Sequence, residues 1–117
     1  MKTHHDLDVW KKSIDLVTVI YKVTESYPKS ELYGLTSQIR RCAISVPSNI
    51  AEGAARTSTK EFSQFLSIAL GSIAELETQL IVSSNLKLLE KSDFDSLIES
   101  LITIRKMTAG LKKSISN

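Results

Sequence analysis

The sequence is poor in the residues that build β-sheets and disulfide frameworks. Its 117 residues include four Gly, two Pro and one Cys, and 6% of them are aromatic. So few turn formers and rings argue against an all-β fold, and Cys42 alone cannot form an internal disulfide. No stretch has the charged start, apolar core and small-residue cleavage site of a secretory signal. We therefore expect a cytoplasmic protein.

Long apolar runs and a strong charge bias are also missing. The longest apolar stretches, such as residues 16–21, are far shorter than the ~20 residues that span a bilayer, so no membrane partner is expected. Fifteen Lys and Arg against thirteen Asp and Glu give a formal net charge of +2, which by itself indicates neither nucleic acid nor an acidic substrate. With 42% hydrophobic residues, the chain fits one domain over residues 1–117.

Apolar residues recur at three- and four-residue intervals in four segments, as in amphipathic helices. We predict helices over about residues 8–26, 31–55, 59–86 and 93–114, the third opening on a Ser58-x-x-Glu61 capping box. Pro47 should kink the second helix, because proline lacks an N–H and crowds the preceding turn; a break there is the alternative. Short connections favour antiparallel neighbours, so we expect an all-α, up-down-up-down four-helix bundle.

The apolar faces of these helices are wider than a single stripe. On the first helix the main stripe is Trp10, Ile14, Val17, Tyr21 and Thr24, and on the third it is Phe62, Phe65, Leu66, Ala69, Ile73, Leu76 and Leu80. Further apolar residues lie beside the stripes: Val9, Leu16, Ile20, Val23, Tyr27, Tyr33, Ile44, Ala51, Leu70, Ala74 and Ile81. Either they extend one core-facing surface, or they form a second interface that neighbouring copies cover.

Two charged residues, Arg40 and Glu77, fall inside the widened faces. Folding the chain at its predicted connections puts Arg105 at the height of Glu77. Because a charge among apolar neighbours needs a partner, we predict a polar layer of Arg40, Glu77 and Arg105, formed across helices or between subunits. Its expected role is structural rather than catalytic.

Charge is unevenly distributed along the predicted bundle. One end, made of residues 1–12, 50–62 and 106–117, carries eight Lys or Arg and four Asp or Glu, a net charge of +4, and the remaining residues carry −2. We call this the basic end. Copies aligned side by side would add their basic ends into a rim suited to phosphates; alternatively, these lysines only solvate the fold and interact with the dipole of the fourth helix.

The candidate nucleic-acid-binding residues of the basic end are Lys11, Lys12, Arg56, Lys60, Lys112 and Lys113. No aromatic-rich surface is expected beside them, so binding should be electrostatic and base readout is not predicted.

Catalytic and metal-binding patterns are missing. The sequence has no glycine-rich phosphate loop, no Cys-x-x-Cys, no His-Glu-x-x-His and no Glu-x-x-His. His4 and His5 precede the helices in a tail that we expect to be disordered, and Cys42 is most simply a small core residue because no His stands near it. We expect no enzymatic activity, metal or cofactor.

Several motifs resemble those of a bacterial family, the 23S rRNA-intervening sequence proteins. They are Asp8-Val9-Trp10-Lys11-Lys12, residues 35–41, Val46-Pro47-Ser48-Asn49-Ile50-Ala51-Glu52-Gly53, residues 58–62 and residues 69–80, so the resemblance covers about residues 7–113. It implies a four-helix bundle. The family in turn resembles the accessory variability determinant protein of diversity-generating retroelements, which implies a homopentameric ring that binds nucleic acid and a reverse transcriptase.

The motif residues of the family are present as Pro47, Asn49, Glu52, Gly53, Glu75 and Glu77. We interpret them as structural: Asn49 can satisfy a carbonyl freed at the Pro47 kink, and Gly53 can permit close helix approach. The expected function is a non-enzymatic oligomer that binds RNA or DNA weakly through the basic end. The alternative is a scaffold that docks a partner enzyme and has no direct nucleic-acid role.

Overall fold

The computed structural model describes residues 3–116 and contains four α-helices and two short 3-10 turns. The helices are α1 (Asp8–Thr24), α2 (Leu35–Ala54), α3 (Thr59–Asn85) and α4 (Lys91–Ile115), and the turns are His4–Asp6 and Lys29–Glu31. No strand occurs in residues 3–116. The prediction of an all-α, four-helix fold is confirmed.

Each helix packs against two others around one apolar core. α1 contacts α2 and α4, and α3 contacts the same two helices, with the most extensive packing between α2 and α3. Ile20, Ile39, Leu66, Leu76 and Leu101 belong to this core and are nearly inaccessible to solvent. Because every helix contributes to the same cluster, burial of apolar surface is what holds the four helices together.

α2 begins four residues later than predicted. Pro28 leads into the 3-10 turn Lys29–Glu31, and Gly34 then adopts a backbone conformation outside the helical region, with φ −115 and ψ −110. The carboxylate of Glu31 accepts a hydrogen bond from the Leu35 N–H at 3.3 Å, so Glu31 satisfies one of the free donors at the start of α2. Leu32 precedes α2 and is 44% exposed.

The buried face of α1 is also different from the predicted stripe. Val9, Ser13, Leu16, Ile20 and Thr24 face the core, whereas Ile14 and Tyr21 remain 39% and 37% exposed. Two polar residues can face the core because their hydroxyls donate to carbonyls of their own helix, Ser13 to Trp10 at 2.8 Å and Thr24 to Ile20 at 2.7 Å. The predicted stripe already included Thr24, but a hydrophobicity pattern does not select Ser13 as a core position.

α2 continues through Pro47 without interruption, so the alternative of a break there is wrong. The side-chain amide of Asn49 donates to the Ser45 carbonyl at 2.8 Å and to the Ser45 hydroxyl at 2.9 Å. The carbonyl that loses its usual partner at Pro47 is that of Ala43. Asn49 therefore supports the turn before Pro47. The prediction that it bonds to the carbonyl freed by Pro47 is wrong, because it bonds to Ser45 instead.

Candidate nucleic-acid interface

Five of the predicted basic residues are lysines near helix ends. Lys11 and Lys12 are the fourth and fifth residues of α1, Lys60 is the second residue of α3, and Lys112 and Lys113 lie in the last turn of α4. Lys112 is half-buried and the other four are exposed. None of the five pairs with a carboxylate of residues 3–116, so their charges are available to phosphates. Lys2, which was counted in the basic end, lies outside the described residues.

The sixth predicted residue, Arg56, has carboxylate partners within the chain. Its guanidinium lies 3.0 Å from the Glu52 carboxylate and 3.8 Å from that of Glu61. The same group stacks on Phe65, 4.9 Å from the ring centroid. Arg56 therefore links the end of α2 to the start of α3. Its charge is less available to a ligand than the sequence suggested.

The α2–α3 connection positions Lys60 by two local devices. The Ser58 hydroxyl accepts the Glu61 N–H at 3.0 Å and caps α3, but the Glu61 carboxylate faces Arg56 instead of completing the predicted capping box. Gly53 lies against α3, where a Cβ would stand 2.7 Å from Cβ of Phe65. The predicted role of Gly53 in close helix approach is confirmed.

An aromatic cluster at the start of the chain was not foreseen. Thr3 caps the His4–Asp6 turn, its N–H donating to the Asp6 carboxylate at 3.1 Å. The rings of His4 and His5 then pack edge-on against Trp10, with centroid distances of 4.9 and 5.2 Å. The expectation of disorder at both histidines is wrong, because they lie in a capped 3-10 turn. The expectation that no aromatic-rich surface lies beside the cations stays a prediction. The Thr-x-x-Asp pattern of residues 3–6 was the signal that could have revealed the turn.

The helix dipole explains only part of the basic cluster. Cations are stabilised near a helix C-terminus and destabilised near an N-terminus, and the effect fades beyond the terminal turn. Lys112 and Lys113 at the end of α4 are therefore in favourable positions, whereas Lys60 in the first turn of α3 is not. Lys11, in the first turn of α1, gains no stabilisation from the dipole either, and Lys12 lies beyond that turn. The helix dipole therefore accounts for the positions of two of the five lysines.

The predicted polar layer does not form across the helices of one chain. Arg40 donates from Nε to the Thr24 hydroxyl at 2.9 Å and from Nη2 to the Tyr21 carbonyl at 3.3 Å. Glu77 is half-buried and Arg105 is exposed. None of the three charged residues forms an ion pair within residues 3–116, because Arg40 turns towards α1. The version of the layer that forms between subunits stays a prediction.

Cys42 is buried where α2 meets α3, as predicted for a small core residue. Its thiol donates to the Ser72 carbonyl at 3.0 Å. Burial, and to a smaller degree the negative charge of Glu75, raises the pKa of this thiol to about 11. A thiol with this pKa is protonated at neutral pH and is a poor nucleophile. Glu75 is exposed and accepts a bond from the Gln79 amide at 3.3 Å.

Metal ligands do not converge in the described part of the chain. No group of three His, Cys, Asp or Glu in residues 3–116 lies close enough to hold a metal ion.

Comparison with known protein families matches residues 5–110 to the family described as 23S rRNA-intervening sequence protein. No curated protein matches the chain. The matched range includes His5 and Trp10 of the aromatic cluster as well as Lys11, Lys12, Arg56 and Lys60, whereas His4, Lys112 and Lys113 lie outside it.

Proposed function

The chain belongs to the 23S rRNA-intervening sequence protein family, and from this premise we propose that it is a non-enzymatic, cytoplasmic protein. In this proposal it assembles with copies of itself and binds nucleic acid weakly through its basic end. In this proposal the helices alternate up and down, and the assembly is the homopentameric ring that the family resemblance implies.

The contacts between α2 and α3 support the alternating arrangement. Gly53 near the end of α2 meets Phe62 and Phe65 near the start of α3, and Ser45 earlier in α2 hydrogen bonds to Ser72 later in α3 at 2.7 Å. Residue numbers therefore rise along one helix as they fall along the other. With α1 and α4 arranged in the same way, the five lysines gather at one end of the bundle.

The observation that carries the proposal is this group of five lysines without carboxylate partners. Lys11, Lys12 and Lys60 in particular have no explanation in the helix dipole or in an ion pair of residues 3–116. Lysines that neutralise phosphates release counterions from nucleic acid, and this release makes affinity fall steeply with salt. Binding of this kind tolerates any sequence, because phosphate contacts carry no base information.

The aromatic cluster favours single strands over duplexes as the ligand. His5 is exposed and packs against Trp10, which immediately precedes Lys11 and Lys12. Single-strand-binding proteins combine such cations with rings on which unpaired bases stack. A duplex keeps its bases stacked on each other and can use only the cations.

The experiment is a comparison of two charge-reversed variants. Binding of labelled single-stranded RNA, single-stranded DNA and duplex RNA is measured by fluorescence anisotropy across a salt series. We expect the variant Lys11→Glu/Lys12→Glu to lose affinity and the slope of log affinity against log salt to become shallower. The control, Lys22→Glu/Lys29→Glu, makes the same charge change at exposed residues outside the basic end and should bind more tightly than the first variant.

Equal losses in the two variants, or an affinity of the native chain that salt does not change, would contradict the proposal. Absence of binding to all three ligands would favour the alternative, a scaffold that docks a partner enzyme such as a reverse transcriptase.

A further inference from the structure

Two surfaces of the bundle expose apolar side chains around opposite charges. The α2 surface consists of Arg40, Arg41 and Ile44 of α2, with Tyr33 just before this helix and Tyr21 of α1, and Tyr33 is 94% exposed. The α3 surface consists of Leu70, Ala74, Glu77 and Ile81, which share one face of α3 at steps of three and four residues. Ile81 is 43% exposed and Ala74 is exposed as well, whereas Leu70 is half-buried against the core. Isolated exposed apolar residues are ordinary, but clusters of them mark binding surfaces.

The charges of the two surfaces are complementary. Between residues 35 and 51 the charged side chains are Arg40 and Arg41, and between residues 62 and 85 they are Glu75 and Glu77. None of the four forms an ion pair within residues 3–116. Tyr and Arg, which dominate the α2 surface, are also the residues that most often anchor protein interfaces.

The two surfaces also match in height along the bundle. The contacts of Cys42 and Ser45 with Ser72 set the register between α2 and α3. Carried along the two helices, these contacts put Arg40 level with the stretch of α3 from Ala74 to Glu77. By the same register Ile44 lies near the height of Ala74, and the start of α2, which Tyr33 precedes by two residues, lies near the height of Ile81. Parallel copies placed side by side would therefore bring apolar residues against apolar residues and Arg40 against Glu77.

From this match we propose that copies of the chain assemble head to tail, with the α2 surface of one copy on the α3 surface of the next. The inference rests on the self-assembly in the proposed function and adds which surfaces meet. Contacts between two different surfaces are heterologous, so they generate rings or filaments rather than two-fold dimers. Rotation about an axis parallel to the bundle keeps each residue at its own height, which is the arrangement that the register requires.

A lipid bilayer fits the α3 surface less well than a second copy of the chain does. By length and composition α3 could cross a membrane, and 33% of its most apolar 18-residue stretch is buried. Glu75 and Glu77 lie within the same helix, and carboxylates are costly at the centre of a bilayer. An arginine-bearing surface of another copy offers these carboxylates a partner.

The test uses two variants that each break one surface with acids. The first is Tyr33→Asp/Ile44→Asp and the second is Ala74→Asp/Ile81→Asp. Light scattering after size exclusion should show the native chain as an oligomer and each variant as a monomer, with circular dichroism confirming that both are folded. Mixed in equal amounts, the variants should form a one-to-one heterodimer, because each retains the surface that the other lacks. Val19→Asp is the control, since Val19 is 43% exposed but lies in the groove between α1 and α4; it should keep the native mass.

Each of the other outcomes contradicts either the self-assembly or the head-to-tail pairing. A native chain that is monomeric contradicts the self-assembly in the proposed function. A native oligomer with a mixture that stays monomeric, or with a variant that keeps the native mass, overturns the head-to-tail pairing alone. Flotation of the native chain, but not of the variants, with vesicles of phosphatidylcholine and phosphatidylglycerol would also overturn it in favour of a membrane. If a double variant does not fold, the single substitutions Tyr33→Asp and Ile81→Asp replace it.

Discussion

The guanidinium of Arg40 lies over the ring of Tyr21, 4.6 Å from the ring centroid. This contact joins α2 to α1 and accompanies the hydrogen bonds that Arg40 donates to Thr24 and to the Tyr21 carbonyl. Arg40 is therefore a link between two helices of one chain. Its charge nevertheless lacks a carboxylate partner in residues 3–116, which is why the same residue can contribute to both the fold and the proposed assembly.

Replacement of Arg40 should weaken the fold itself. We expect Arg40→Ala to lower the free energy of unfolding by about 1 to 3 kcal/mol, because it removes hydrogen bonds from a charged donor and a cation–π contact. Arg41→Ala is the matched control, since Arg41 is exposed, and it should change stability by less than about 0.5 kcal/mol. Urea unfolding is best measured in the Tyr33→Asp/Ile44→Asp background, so that assembly does not contribute. Equal effects of the two substitutions would mean that the contacts of Arg40 do not stabilise the bundle.

Gly53→Ala should destabilise the protein although alanine is the better helix former. Its Cβ would lie 2.7 Å from Cβ of Phe65 and 2.9 Å from Cδ1 of Phe62. Overpacking of this kind costs about 1 to 3 kcal/mol, more than the ~1 kcal/mol that helix propensity returns. Gly110→Ala in α4 meets nothing within 4 Å and should stabilise the chain instead. The two melting temperatures should therefore move in opposite directions, and a rise for both would show that α2 and α3 can separate without cost.

Cys42 should make stability depend on pH in the alkaline range. Its pKa rises from 9.0 to about 11 on folding, so the folded state favours the protonated thiol. The resulting stabilisation is complete below the pKa of the unfolded chain and is lost as the pH rises towards the folded pKa, and it amounts to something on the order of 2 kcal/mol. Unfolding in urea from pH 7 to pH 11 measures it as the difference between the native chain and Cys42→Ala. Parallel pH profiles for the two proteins would rule out this linkage.

The ring of His5 should contribute to binding of single strands but not of duplexes. Stacking of a base on an aromatic side chain is worth about 1 to 3 kcal/mol, and His5 is exposed enough to be replaced without loss of core packing. We expect His5→Ala to weaken binding of single-stranded RNA and to leave duplex binding unchanged. His5→Phe should restore affinity because it keeps a ring. An equal loss for both ligands would show that His5 acts only through the local fold.

Much of the fold could be predicted from the sequence, because helix periodicity is a local property. On α3 the predicted positions Leu66, Ala69, Ile73, Leu76 and Leu80 are all buried, since a long stripe of apolar residues can face the core in only one way. On α1 the same periodicity predicted a stripe that lies beside the buried face. Ser13 satisfies its hydroxyl within the helix, and a pattern of hydrophobic residues does not detect this.

The candidate site likewise combines features that the sequence determines with features that only helix packing decides. The sequence alone determined which residues are basic, that four helices form, and that the cations concentrate near helix ends. Only the tertiary structure decided which charges are compensated: Arg56 meets Glu61 across the α2–α3 connection, and Arg40 meets Tyr21 and Thr24 of another helix. The physical reason is that helix periodicity acts over three or four residues, whereas the partner of a charge depends on how separate helices pack. Packing brings together residues that are distant in the chain, and no local pattern specifies that choice.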